Sequence, residues 1–190
     1  MTEGGAELDY ESVPRLIDHC AAAGCAGCLV AAVAGEQGSL SVEEHEQLVS
    51  AVVNANSGRL SLVVACSAAE QDDRMRKARL CSRLGIQCVC VQVPGEAESA
   101  AERLRLLSDV AQEALPAVLM LQDLDFSGPG LAVEEIVSLF GSIGSMKALK
   151  IEAAPAGPKY SAVLEATGGR LHLSGGWAVQ QMLEALARYC

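Results

Sequence analysis

Positive charge is in short supply in this chain. Fourteen Lys and Arg face 24 Asp and Glu, for a net charge of −10. Phosphate-rich partners repel such a surface, which argues against nonspecific nucleic-acid binding and against adsorption to anionic membranes. Long apolar runs are missing too. No stretch reaches the roughly 18 residues that a membrane-spanning helix needs. The opening Met1-Thr2-Glu3-Gly4-Gly5 has neither the basic region nor the apolar core of a secretory signal, so a cytoplasmic protein is expected. A second CxxC is also absent. Cys25-x-x-Cys28 stands alone with His19 and Cys20 nearby, an incomplete set for tetrahedral zinc, and no metal or cofactor is expected. The eight cysteines do not read as a disulfide framework, because a chain of this length without a secretion signal has no need of staples. Cys66, Cys88 and Cys90 lie in Val-rich runs and read as small core side chains.

What is present is apolar residue: 51% of 190, enough for a packed core. Short β-branched runs, Cys28–Val33, Leu60–Cys66, Gln87–Val93, Ala117–Leu121, Ala148–Ile151 and Arg170–Leu173, begin roughly thirty residues apart. Amphipathic stretches separate them. Ser41-Val42-Glu43-Glu44 is a capping box opening a helix with Leu48, Val49, Val52 and Val53. Leu104, Leu107, Val110, Ala111 and Ala114 stripe another, and Val133, Ile136, Val137 and Phe140 a third. Pro158 opens a helix closed by Gly168-Gly169. A first helix spans Tyr10–Ala23 with Val13, Leu16 and Ile17 inward, and a last one carries Val179, Met182, Leu183 and Leu186. The expected architecture is α/β, about six parallel strands and seven helices in a single domain over 1–190, with residues 1–9 a flexible lead.

Sites in such folds form at the carboxyl ends of strands. Val33-Ala34-Gly35 follows the first run, and its small residues let backbone N–H groups meet a carboxylate or phosphate, or simply make a loop. Gln122-Asp123 ends the fourth run. Lys150 sits inside the fifth, Ala148-Leu149-Lys150-Ile151-Glu152, with Ala148, Lys150 and Glu152 on one face by alternation. Burial lowers a lysine's pKa and frees the amine for Schiff-base chemistry. The plain alternative is a strand-end lysine that reaches water or pairs with Glu152. Ser174-Gly175-Gly176-Trp177 opens the last helix, either as an anion-binding helix start or as a tight turn.

These residues resemble a known family. Gly35-Glu36 followed by Leu40-Ser41-Val42-Glu43-Glu44-His45, with Asn56-Ser57-Gly58-Arg59, Leu149-Lys150-Ile151-Glu152 and Leu173-Ser174-Gly175, is similar in order and spacing to the dihydrodipicolinate synthase / N-acetylneuraminate lyase family. The resemblance implies a (β/α)8 TIM barrel, a homo-oligomer, and a class I aldolase or lyase acting on a small 2-oxo acid of the pyruvate type. It makes Lys150 the catalytic nucleophile, gives the carboxylate to the N–H groups of Val33, Ala34 and Gly35, and puts Gln122, Asp123 and Gly175 along the pocket. Asp123 and Tyr160 stand as candidates for the missing relay tyrosine. Where the family carries Gly-Thr-Thr-Gly-Glu this chain has Ala32-Val33-Ala34-Gly35-Glu36, Gln122-Asp123 replaces Tyr-Asn, and Phe126-Ser127-Gly128 holds no arginine. Dihydrodipicolinate synthase activity proper is therefore not expected, and another 2-oxo acid is. A full barrel takes about 250 residues. This chain has room for about six units, so the expectation is an incomplete barrel lacking strands one and eight, either active by assembly or a non-catalytic interaction module.

Overall fold

The computed structural model describes residues 8–188. Six strands, β1 Gly27–Val30, β2 Ser61–Ala65, β3 Cys88–Gln92, β4 Val118–Leu124, β5 Met146–Glu152 and β6 His172–Gly175, form one sheet in chain order. Every neighbouring pair is parallel. Seven α-helices accompany them: α1 Val13–Ala22, α2 Val42–Asn56, α3 Gln71–Arg83, α4 Ala100–Glu113, α5 Val133–Ser142, α6 Ala156–Thr167 and α7 Ala178–Leu186. The architecture is an α/β half-barrel, an incomplete TIM barrel with a helix after every strand. Among the described residues no helix is long and apolar enough to cross a membrane. The lead 1–7 and Cys190 lie outside the described residues.

The two faces of the sheet differ sharply in burial. Val64, Val89, Val91, Leu119, Leu121, Leu149 and Ile151 point to one face and are fully buried against Val49, Ala78, Leu107, Val110, Ile136 and Val163 of the helices. Each such aliphatic side chain contributes about 1.5–3 kcal/mol on burial. The alternate residues face the concave side. Burial there is mixed: Ala65, Cys90, Gln122 and Ala148 are buried, Val63, Cys88, Met120 and Ser174 keep partial solvent contact, and Leu29 and His172 are exposed. The stability of the described fold thus comes from the helix-covered face.

Local chemistry explains most boundaries. Ser41 accepts from the Glu44 N–H at 3.1 Å while the Glu44 carboxylate accepts from the Ser41 N–H at 2.8 Å, the reciprocal cap that starts α2. Gly168, at φ +59°, ends α6 in the left-handed conformation. Several sequence expectations shift. β1 stops at Val30 because Ala31 turns to φ 52°, and Val33–Gly35 form a 3-10 turn rather than strand. α6 begins at Ala156, with Pro158 inside its first turn. Tyr10–Ser12 is a separate 3-10 turn, and Leu16 is exposed while Val13 and Ile17 pack inward. The largest correction is α7. Met182, Leu183 and Leu186 are exposed, and Gln181 and Ala185 are the buried positions. The side chain of Val179 lies outside the described set. The cause is polar: the Gln181 amide is tied into the strand ends, as described next.

Candidate active site

Register brings the candidate residues of β4, β5 and β6 together. Gln122 pairs with Lys150, and Lys150 with Ser174. In a parallel sheet such partners project to the same face, here the concave one. The Lys150 Nζ lies 3.1 Å from the Glu152 carboxylate, with side-chain exposures of 15% and 9%. Gln122 donates to the same Glu152 oxygen. Behind them the Cys90 thiol lies 3.9 Å from the Gln122 Oε1. Burial pushes the Cys90 thiol up to about 12, so it stays protonated at neutral pH and donates. The result is a continuous row, Cys90–Gln122–Glu152–Lys150, with the amine at its open end.

Glycine completes the row. A Cβ on Gly176 would stand 2.2 Å from the Glu152 side chain, so only glycine lets the turn after β6 lie against that carboxylate. Gly175 is held similarly, its missing Cβ 2.8 Å from the Tyr160 hydroxyl. The Glu152 carbonyl accepts from the Asp125 N–H at 3.1 Å, fastening the loop after β4 to the end of β5.

Other candidates are placed elsewhere. Asp123 alternates to the helix-covered face, where it forms a buried ion pair with Lys159 and accepts from the Leu131 N–H at 2.9 Å. It shapes the 125–131 loop and does not join Lys150. Tyr160 is fully buried, and its hydroxyl donates to Gln181 at 3.2 Å. The N–H groups of Gly176 and Trp177, offered above to an anion, are taken by the Gln181 Oε1 at 3.3 Å each. The Gln181 Nε2 in turn donates to the Ala153 carbonyl at 3.2 Å. This one side chain explains why α7 turns an amide inward and its leucines outward. Val33, Ala34 and Gly35 stand in the exposed 3-10 turn after β1, with three strands between it and β5 in the sheet. The Gly35 N–H donates to the Ala32 carbonyl at 2.9 Å and so does not face a ligand as the sequence suggested, whereas the N–H groups of Val33 and Ala34 have no partner within the turn.

Phe126 and Trp177 were not singled out as a pair in the sequence. They stack at the mouth of the row, centroids 6.0 Å apart and planes within 3°. Nothing in a one-dimensional pattern joins residues so far apart. A separate cavity of about 550 Å³ lies between α3 and the loops after β2 and β3, lined by Ser67, Arg74, Lys77 and Gln92, and does not include Lys150. The strand-end polar row converges on Lys150 rather than on this cavity. Cys20, Cys25, Cys28, Cys66, Cys81, Cys88 and Cys90 are free thiols. Among the described residues no group of His, Cys, Asp and Glu is arranged to hold a metal ion.

A parallel half-barrel with a lysine and its carboxylate at the carboxyl end of a strand defines the class: a (β/α)8-type protein with its polar site at the strand ends. The family follows from comparison. The chain belongs to the dihydrodipicolinate synthetase family, whose model matches residues 2–174. The 4-hydroxy-tetrahydrodipicolinate synthase of Laribacter hongkongensis is 34% identical over 94 residues, 50% of this chain and 32% of that protein. The enzyme of the same name from Nitrosococcus oceani is 25% identical over 169 residues, covering 89% and 58%. Among solved structures, Proteus mirabilis N-acetylneuraminate lyase superposes with a TM-score of 0.90 at 20% identity, over 99% of this chain and 64% of that one. The dihydrodipicolinate synthase of Cyanidioschyzon merolae gives 0.89 at 21%, over 100% and 64%. The chain therefore spans less than two thirds of each of these relatives, and the structural likeness shows the fold.

Proposed function

We propose that the chain is a Schiff-base aldolase or lyase for a pyruvate-type 2-oxo acid, with Lys150 as nucleophile. The observation that carries this is the Lys150–Glu152–Gln122 row on the concave face at the end of β5. The amine attacks the ketone carbon and water leaves, giving an iminium that accepts the electron pair of the C3–C4 bond as that bond breaks; in the forming direction the iminium first loses a C3 proton, and the resulting enamine supplies the pair. Glu152, fixed by Gln122 and close-packed on Gly176, stands where it can take the amine's proton and later move one to or from substrate. The N–H groups of Val33 and Ala34 hold the substrate carboxylate, and Gly175 lines the pocket. The lost threonine pair and the absence of arginine in the 126–128 loop direct the site away from the dihydrodipicolinate synthase reaction. We take the working form to be a cytoplasmic homo-oligomer.

A second reading, a non-catalytic family member, draws on one feature: the Lys150 amine is already engaged in an ion pair with the Glu152 carboxylate at 3.1 Å, as a purely structural lysine would be. Borohydride trapping with pyruvate, followed by peptide mass spectrometry, tests both. A reduced adduct on Lys150, absent in Lys150→Ala, is the expected result. No adduct overturns the aldolase reading, and an adduct with no turnover of any 2-oxo acid favours the second.

A further inference from the structure

Aromatic side chains are few in this protein, yet its single Trp and one of its two Phe are spent together on the segments that follow β4 and β6, the two neighbours of β5. Phe126 follows Asp125, whose N–H bonds the Glu152 carbonyl, and Trp177 follows Gly176, which lies against the Glu152 side chain. The two rings therefore sit at the end of β5, two residues beyond Lys150. Their near-parallel planes at 6.0 Å are an offset stack. Phe126 is 74% exposed, so one plate of the stack is left open to solvent. Among the described residues the cation–π contact is Arg170 on Phe140, not on this stack. The charge beside the stack is instead negative. Asp125 accepts from the Ser127 N–H at 2.9 Å and the Gly130 N–H at 3.2 Å, which hold its carboxyl below the usual carboxylate range and ionised at neutral pH. A second reactant bearing a carboxylate would meet repulsion here. A flat uncharged one would meet a ready surface.

Resting on the Schiff-base reading above, we infer that the carbonyl compound released from, or joined to, the 2-oxo acid is an aromatic aldehyde whose ring stacks on Phe126. In the cleavage direction, a 4-aryl-4-hydroxy-2-oxobutanoate condenses with the Lys150 amine and releases water. The C4 hydroxyl proton passes to the Glu152 carboxylate, the C3–C4 bond breaks, and its electron pair moves into the iminium to give an enamine. The aryl aldehyde leaves. Return of the proton to C3 and addition of water then free pyruvate and the amine. No oxidant or reductant is required.

Two arms test this. In the first, pyruvate release is followed from 4-hydroxy-2-oxo-4-phenylbutanoate and from 4-hydroxy-2-oxopentanoate. The expected result is a kcat/KM about tenfold higher for the phenyl compound, a preference that Phe126→Ala and the ring-free but bulky Phe126→Leu both collapse. Equal or better use of the aliphatic compound, or an undiminished preference in both variants, overturns the inference. The second arm needs no turnover. Trp177 is the only tryptophan, so its fluorescence reads this place alone when benzyl alcohol, an unreactive analogue, is titrated into the protein. A saturable change that Phe126→Ala removes supports the stacking site even if Lys150 traps no pyruvate. No saturable change overturns it even if Lys150 does.

Discussion

His45 is fully buried on α2, its Nε2 2.8 Å from the Ala65 carbonyl and its Nδ1 without a partner among the described residues. Burial pushes its pKa down from 6.5 to about 4. In the unfolded chain the imidazole takes a proton below about pH 6.5, whereas the folded chain refuses it until about pH 4. Between those values the unfolded state binds more protons, so stability falls as pH drops through that window and is unaffected above it. The full loss is on the order of 3 kcal/mol. Urea unfolding at pH 7.5 and pH 5 should show most of it, and His45→Gln should flatten the difference. Gly176 supports a second residue-scale prediction. In Gly176→Ala the new methyl displaces the Glu152 carboxylate, so the rate of pyruvate trapping should drop by about tenfold or more while the circular dichroism spectrum is kept. Of these site residues, Lys150 was legible in the sequence because a lysine in a buried β-branched run needs a reason. Glu152 was legible as its neighbour through alternation. Cys90 read only as core, and Gln181 not at all, because what each touches depends on strand register and helix rotation.

At the scale of elements, caps decide where helices begin. Ser41→Ala removes one half of the reciprocal cap of α2 and should cost about 1 kcal/mol, read as a lowered denaturation midpoint with an unchanged slope. α7 depends on one amide. Gln181→Leu would leave the Gly176 and Trp177 N–H groups and the Ala153 carbonyl without that partner, at a cost of roughly 1–3 kcal/mol, and should raise proteolysis at the α7 end before global unfolding. The six strands and their spacing were legible because parallel strands buried under helices become continuous apolar runs. The α7 face was not, because three exposed leucine-type positions follow the same 3.6 period that a core stripe would. The polar anchor that turns them outward has no periodic signature.

Across the whole molecule, the sheet is held from one side. β2, β3, β4 and β5 have strand neighbours on both edges, while β1 and β6 each have one among the described residues. Amide exchange should therefore be slower in β2 to β5 than in β1 and β6. The unequal burial of the two sheet faces carries a further consequence. Along β4 and β5, residues that hold the fold together and residues of the proposed site are interleaved as two messages written on alternate letters of one line. Substitutions to Ala at Leu119, Leu121, Leu149 and Ile151 should lower abundance, at about 2–5 kcal/mol each. Those at Met120 and Lys150, which keep partial solvent contact, should leave abundance largely intact, and that at Lys150 should alter reactivity. A saturation scan plotted along either strand would show two period-two waves in opposite phase, and selection could rewrite one message while leaving the other unread.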